Sequence, residues 1–300
     1  MSPEIDADKL KECVEKSGFL LEHRSYALLR EYVHRGVSGQ IRGDGEVGLV
    51  LHREGDKPTE IDVFYDMQQS LLDIVERSHT IIDQIGFANI IFRTLLVAEC
   101  KGHPSDGFVL VQKLPNTSEY TQRVFYRGAY NAWNDEKLDI RNIYMVSGGN
   151  FFRCKRKKGH SVDAYEMERE GSHNKFFQAY EQIMCNIRAI IDNLDSLPNT
   201  PTGAQVIRIA PLLVTNAPIV AMRVEDTRAT FEFVPWVTHD ARFQHFGQSK
   251  GKKRDLFDVF HIVSFDFLKQ FMGLLFARET SLFPPGNLRY EISGSDIPIL

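Results

Sequence analysis

The sequence predicts an α/β sandwich with a mixed central sheet, and three observations carry that prediction. Leu95 to Ala98 is an apolar run on both faces, as in a strand covered from two sides. Two long segments, 17–33 and 174–194, carry apolar residues at helical spacing. Between and after them the order strand, strand, helix, strand suits a layered fold in which helices cover a sheet.

The first helix is expected over Ser17 to Val33, with Ser17 as N-cap, Leu21, Leu28, Leu29, Tyr32 and Val33 as its apolar set, and Gly36 as its stop. Glu22 lies on the line of Tyr26, Leu29 and Val33, where a carboxylate needs a partner or a metal. Gln40 to Arg53 reads as one or two short strands around a turn at Gly43-Asp44-Gly45. Glu60 to Tyr65 alternates with period two, so Glu60, Asp62 and Phe64 share one face. Met67 to Ile85 is expected to be helical through Leu71, Leu72, Val75, Ile81 and Ile82.

Phe92 to Lys101 is the most strand-like segment, and it ends in Glu-Cys-Lys-Gly with Val97, Glu99 and Lys101 on one face. Two charges therefore emerge at the end of a buried strand. Residues 104–163 are expected to elaborate a single domain spanning 1–300, with a strand around Asn142 to Val146. The second helix, Asn174 to Leu194, presents Phe177, Tyr180, Met184, Ile187, Ile191 and Leu194 along one line. Ile207 to Val214 is a buried strand, and Val220 to Val224 with Thr230 to Val237 form a hairpin. Asp258 to Val263 is a last strand, leading into a helix from Phe265 to Ala277.

Composition narrows the function classes. Of 300 residues 43% are hydrophobic and 25% charged, an ordinary globular balance. No apolar stretch is long enough to span a bilayer, and the start is polar and acidic. Cys13, Cys100, Cys154 and Cys185 are too irregularly spaced for a disulfide framework. The expectation is a soluble cytoplasmic protein without a membrane partner. A net charge of −4 argues against indiscriminate coating of nucleic acid, yet a local basic groove suffices for an enzyme acting on it. The runs Arg153 to Lys158 and Lys250 to Arg254 are open to two readings, solvated loops or phosphate contacts.

Asp62, Glu99 and Lys101 form the constellation with chemistry in it. A magnesium-type ion takes oxygen ligands, and two carboxylates on neighbouring strands plus the main-chain carbonyl of Cys100 supply three. Such an ion lowers the pKa of bound water, while a lysine two residues after the second carboxylate lands on the same face and steadies charge on a phosphorane. Cys100 with His103, and Cys154 or His160 at a distance, is a weak zinc pattern. His239, Asp240, His245 and His261 stand without a Gly-x-Ser-x-Gly elbow, and no Walker-type phosphate loop appears. Trp133 and Trp236 read as core, as do most phenylalanines; Tyr126 and Tyr130 read as packing residues before base-stacking ones.

Glu60-Ile61-Asp62 followed by Glu99-Cys100-Lys101 resembles the PD-(D/E)xK nuclease superfamily, which includes restriction endonucleases, repair nucleases and anti-phage effectors. Phe19-Leu-Leu-Glu-His is similar to that family's first helix, whose glutamate joins the metal site and corresponds to Glu22. The resemblance covers roughly residues 18–102 and 173–216. It implies a restriction-endonuclease-like fold, Mg²⁺ with Mn²⁺ as substitute, and metal ligation by Asp62, Glu99, the Cys100 carbonyl and Glu22. It further implies Lys101 at the attacking water and a glutamine on the following helix, Gln182 with Gln178 in reserve, orienting the lysine or substrate. The implied reaction is phosphodiester hydrolysis, foremost in DNA, in phage defence, restriction or repair. A homodimer and a defence-system partner are the implied associations. The alternative is a catalytically silent nuclease fold that binds nucleic acid or protein. One departure stands out: thirty-six residues separate Asp62 from Glu99, where compact members have a short hairpin. Glu60, on the face of Asp62, is the fallback ligand.

Overall fold

The computed structural model describes residues 18–35, 41–51, 58–70, 91–102, 107–113, 120–127, 134–140, 147–156, 165–168, 175–194, 205–225, 228–240 and 259–277, besides isolated positions 6, 9 and 14. They form an α/β structure built on one mixed sheet. In chain order come α1 (Phe19–Arg35), β1 (Arg42–Leu51), β2 (Thr59–Ser70), β3 (Ile91–Lys101), β4 (Gly107–Lys113), β5 (Tyr120–Arg127), β6 (Asn134–Ile140), β7 (Ser147–Arg156) and β8 (Tyr165–Glu168). Then follow α2 (Lys175–Asp192), β9 (Gln205–Thr215), β10 (Ile219–Glu225), β11 (Arg228–Val234), β12 (Trp236–Asp240), β13 (Val259–Ser264) and α3 (Leu268–Ala277).

The sheet runs β1-β2-β3-β9-β13-β12-β7-β4-β10-β11. Its left half, β1-β2-β3, is antiparallel, and β3 then pairs β9 in parallel along the whole strand, from Ile91↔Gln205 to Lys101↔Thr215. The free edge of β9 is divided. Its first residues pair antiparallel with β5 (Gln205 with Arg127), its last in parallel with β13 (Thr215 with Ser264). Segment 104–163 thus contributes β4 to β7 to the same sheet.

Side-chain alternation on β2 and β3 builds two cores, one on each face. Val63, Tyr65, Met67, Leu96, Ala98 and Cys100 meet Leu21, Leu29 and Val33 of α1 and Phe271, Met272 and Leu275 of α3. On the opposite face Leu95, Val97, Ile207 and Leu213 meet Tyr180, Ile183, Ile187 and Leu194 from the α2 segment. Full burial of one such Leu or Ile contributes about 1.5–3 kcal/mol. This two-sided cover explains why β3 is buried along almost its entire length. Among the described residues no helix is long and apolar enough to cross a membrane.

Several sequence expectations need correction. Gly43-Asp44-Gly45 does not turn: it lies inside β1, with Gly43, Asp44 and Gly45 opposite Met67, Asp66 and Tyr65. The glycines serve close approach. A Cβ at Gly45 would stand 2.4 Å from the Tyr65 ring and 2.5 Å from the Phe64 carbonyl oxygen. The bare strand lets the Tyr65 ring lie across it and lets the Tyr26 hydroxyl of α1 donate to the Gly45 carbonyl at 3.2 Å. We expect Gly45→Ala to lower stability by about 1–3 kcal/mol through this overlap, read as a drop in melting temperature.

Met67 to Ser70 is not the start of a helix but the end of β2, in register with β3 as far as Ser70↔Ile91. Period-two burial simply continues there, with Tyr65, Met67 and Gln69 enclosed, and the Asp66 carboxylate pairs with the Arg93 guanidinium across the strands. The remainder of that expected helix, 71–85, lies outside the described residues, as do Ser17, Gly36 and the strand expected at 142–146. The hairpin of β10 and β11 forms, yet its second strand stops at Val234. Pro235 has no N–H to continue the ladder, its carbonyl accepts from Ser264 N at 2.9 Å, and Trp236 opens a separate strand. The last helix begins as a 3₁₀ turn, Phe265–Phe267, before α3.

Candidate active site

The candidate site sits where β2 and β3 part. Their pairing runs from Ser70↔Ile91 to Val63↔Ala98. Beyond it the Cys100 amide donates to the Asp62 Oδ2 carboxylate oxygen at 2.7 Å. The thirty-six intervening residues therefore leave the two strands as neighbours.

Lys101 Nζ donates to Asp62 Oδ2 at 3.2 Å and to Glu99 Oε2 at 3.1 Å, so one ammonium bridges both carboxylates. Solvent reaches these groups unequally: the side chain of Lys101 is 21% exposed and that of Asp62 12%, but that of Glu99 is 0% exposed. Any ligand must come in past Asp62 and Lys101.

The enclosure of Glu99 has an electrostatic consequence. Burial first, and the neighbouring charge of Asp62 second, push its carboxyl up to about 9, against the opposing pull of Lys101. Burial alone would lower the Lys101 ammonium, but Asp62 and Glu99 outweigh it and hold its pKa above the usual lysine value. Glu22 is likewise raised, by burial and then by Asp62, with Lys101 acting in the other direction. The cluster thus carries one cation among three carboxyl groups.

α1 brings Glu22 to this end of the sheet. Gly18, at φ +88°, turns the chain into the helix, and its carbonyl accepts from Leu21 N at 2.9 Å and Glu22 N at 3.1 Å. The Cys100 carbonyl oxygen and Glu22 Oε1 both lie within 4 Å of the point where a Cβ on Gly18 would be. One turn further along α1, Tyr26 anchors the helix over β1 as described above.

α2 closes the site from the opposite face. The Gln182 amide donates to the Glu60 carbonyl at 2.7 Å, so it supports the β2 backbone and does not orient Lys101 as the sequence suggested. Gln178, one turn earlier, is exposed. The residue that reaches the cluster is Asn186, fully buried, whose amide donates to Glu99 Oε1 at 3.2 Å and to the Glu60 carbonyl at 3.0 Å. Sequence reasoning missed it, although its position four residues after Gln182 on one helix face was a usable signal. We expect Asn186→Ala to cost about 1–3 kcal/mol of stability, since Glu99 then loses its buried donor; thermal melting checks it. The Glu60 side chain is led elsewhere, with Oε1 3.2 Å from where a Cβ at Gly48 would sit.

The other sequence candidates do not converge here. The Cys100 thiol lies in the α1-side core, its pKa raised by burial, and Cys154 is buried beside Leu110 and Val220. His261 is a satisfied core histidine, with Nδ1 3.0 Å from Thr238 Oγ1 and its ring against Phe271. Trp236 stacks on Phe267 at 5.5 Å. His103, Tyr130, Trp133, His160, His245 and residues 250–254 lie outside the described residues.

The donor set suits a hard cation: carboxylate oxygens, a nearby main-chain carbonyl, and negative charge in excess of the single lysine. Among the described residues, however, no three His, Cys, Asp or Glu side chains are already gathered at metal-binding spacing. The Lys101 ammonium stands between the two carboxylates that would serve. Comparison with protein-family models, with curated proteins and with solved structures gave no match to this chain.

Proposed function

We propose that this chain is a metal-dependent phosphodiesterase of the PD-(D/E)xK kind, a restriction-endonuclease-like nuclease acting foremost on DNA. The observation that carries the reading is the bridge of Lys101 between Asp62 and Glu99 at the parted ends of two adjacent strands, with Glu22 delivered to the same place by α1. Asp62, Glu99 and the Cys100 carbonyl are the groups to hold Mg²⁺ or Mn²⁺, with Glu22 completing or supporting the set. When bound, such an ion supplies an acidified water and charge neutralisation at a phosphate. Lys101 is then displaced from its carboxylates toward solvent and offers its proton-bearing amine to the attacked phosphate or the water. Asn186 and Gln182 hold the Glu60 carbonyl, and Asn186 also holds Glu99 Oε1, keeping that carboxyl aimed at Lys101. The assignment to restriction, repair or phage defence, with a defence-system partner, belongs to the same proposal.

A second reading has its own support. Glu99 is fully enclosed and protonated at neutral pH, so the cluster is also a self-satisfied ion-pair network in a silent nuclease fold that binds nucleic acid or protein. Incubation with supercoiled plasmid, single-stranded DNA and RNA in Mg²⁺, Mn²⁺ or EDTA separates the two. Cleavage with metal and none with EDTA supports the nuclease; intact substrates under every condition favour the silent module.

A further inference from the structure

The far edge of the sheet carries a surface that the nuclease reading leaves unused. β11 ends the strand order, and among the described residues nothing pairs with its outer edge. Its register with β10 is unbroken from Ile219↔Val234 to Glu225↔Arg228. The strand reads Arg-Ala-Thr-Phe-Glu-Phe-Val, without the proline, lysine or bulge that commonly blunts an edge. Phe231 is 62% and Phe233 80% exposed, and Val224 beside them on β10 is 51% exposed. Alternation puts all three on one face with Val220 and Met222, continuous with the small core of Leu110, Cys154 and Phe108.

We propose that β11 is a homodimer interface, at which two copies of this chain pair their β11 strands antiparallel about a two-fold axis through Thr230. Charge complementarity selects both the occupant and the register. In that register Arg228 stands opposite Glu232 of the second copy, and symmetry makes the pair twice. Phe231 falls opposite Ala229, a large residue over a small one, and the two Phe231 rings become diagonal neighbours across the axis. A register shifted by one residue sets Arg228 opposite Val234 and loses both pairs. The charged face of the hairpin carries Arg223, Glu225, Arg228 and Glu232, two of each sign. That balance suits a second protein strand and offers no net attraction to phosphates. The exposed parts of Phe231, Phe233 and Val224 in two copies amount to roughly 700 Å² of apolar surface, which with the new backbone ladder suits a reversible dimer.

Sedimentation velocity of the full-length chain over a concentration series is the test, with Arg228→Glu, Glu232→Arg and the double variant beside wild type. All four positions of charge are solvent-exposed, so far-ultraviolet circular dichroism should be unchanged. The wild type is expected to dimerise, each single reversal to weaken the dimer at least roughly tenfold, and the double reversal to restore it. A wild type that stays monomeric at every concentration overturns the proposal. So does a dimer indifferent to both single reversals, or one that the double variant fails to restore. If the wild type is monomeric and Phe231→Glu abolishes binding of single-stranded DNA, the face belongs to nucleic acid instead.

Discussion

Glu99→Gln is expected to reduce phosphodiester cleavage by at least about a thousandfold, the loss expected when metal-assisted charge stabilisation is removed. In the same variant the melting temperature of the EDTA-treated protein should rise on the alkaline side of neutrality. The carboxyl of Glu99 is raised from 4.5 to about 9 in the folded chain. Between those values the folded state keeps a proton that the unfolded state has released, so stability falls as pH increases across that window. Lys101, whose ammonium is held more tightly than usual, contributes no opposing slope below its ordinary titration range. Glutamine resembles the protonated acid and has nothing to lose, so the variant's melting curve should flatten over that window. Melting scans in EDTA from about pH 5 to about pH 9 read this directly. A wild type that becomes more stable with rising pH, or a Glu99→Gln protein less stable than wild type at about pH 8, would contradict the electrostatic picture of the site.

Lys101→Met is expected to lower turnover by about 10²- to 10⁴-fold, the usual effect of removing a proton-transfer or charge-stabilising group. It should also lower stability by about 1–3 kcal/mol, because Asp62 and Glu99 then face each other without the ammonium between them. The cost stays in that range because Glu99 already carries a proton at neutral pH. Lys101→Arg distinguishes chemistry from architecture. The guanidinium keeps the positive charge and should recover most of the stability, but its far higher pKa leaves it unable to exchange a proton with water. Cleavage that returns with arginine would reduce Lys101 to a structural cation.

The legible part of this structure is what two-sided burial and periodicity encode. Leu95 to Ala98 announces β3, and the run of charges after it marks the end of the strand, where Glu99 and Lys101 meet Asp62. The α2 segment was legible from its apolar line, and α1 from Leu21, Leu29 and Val33. Misreadings cluster where a residue's role depends on a partner far along the chain. Gly43 and Gly45 look like a turn until the Tyr65 ring is known to need their bare backbone. Met67 and Gln69 look like the start of a helix because a short segment does not reveal a β3 strand beside it to receive them. Gln182 was chosen by analogy. Its amide goes to the Glu60 carbonyl, and the shorter Asn186 takes Glu99, since reach across the interface between α2 and β3 decides which amide meets the carboxyl.

The most direct test of the central claim is nicking of supercoiled plasmid in Mg²⁺ and in EDTA by wild type, Glu99→Ala and Lys101→Ala. The account predicts metal-dependent nicking by wild type and its loss in both variants, each confirmed as folded by circular dichroism. Nicking that survives both substitutions would mean that hydrolysis takes place elsewhere on the chain, and the cluster of Asp62, Glu99 and Lys101 would then be an ion-pair network alone.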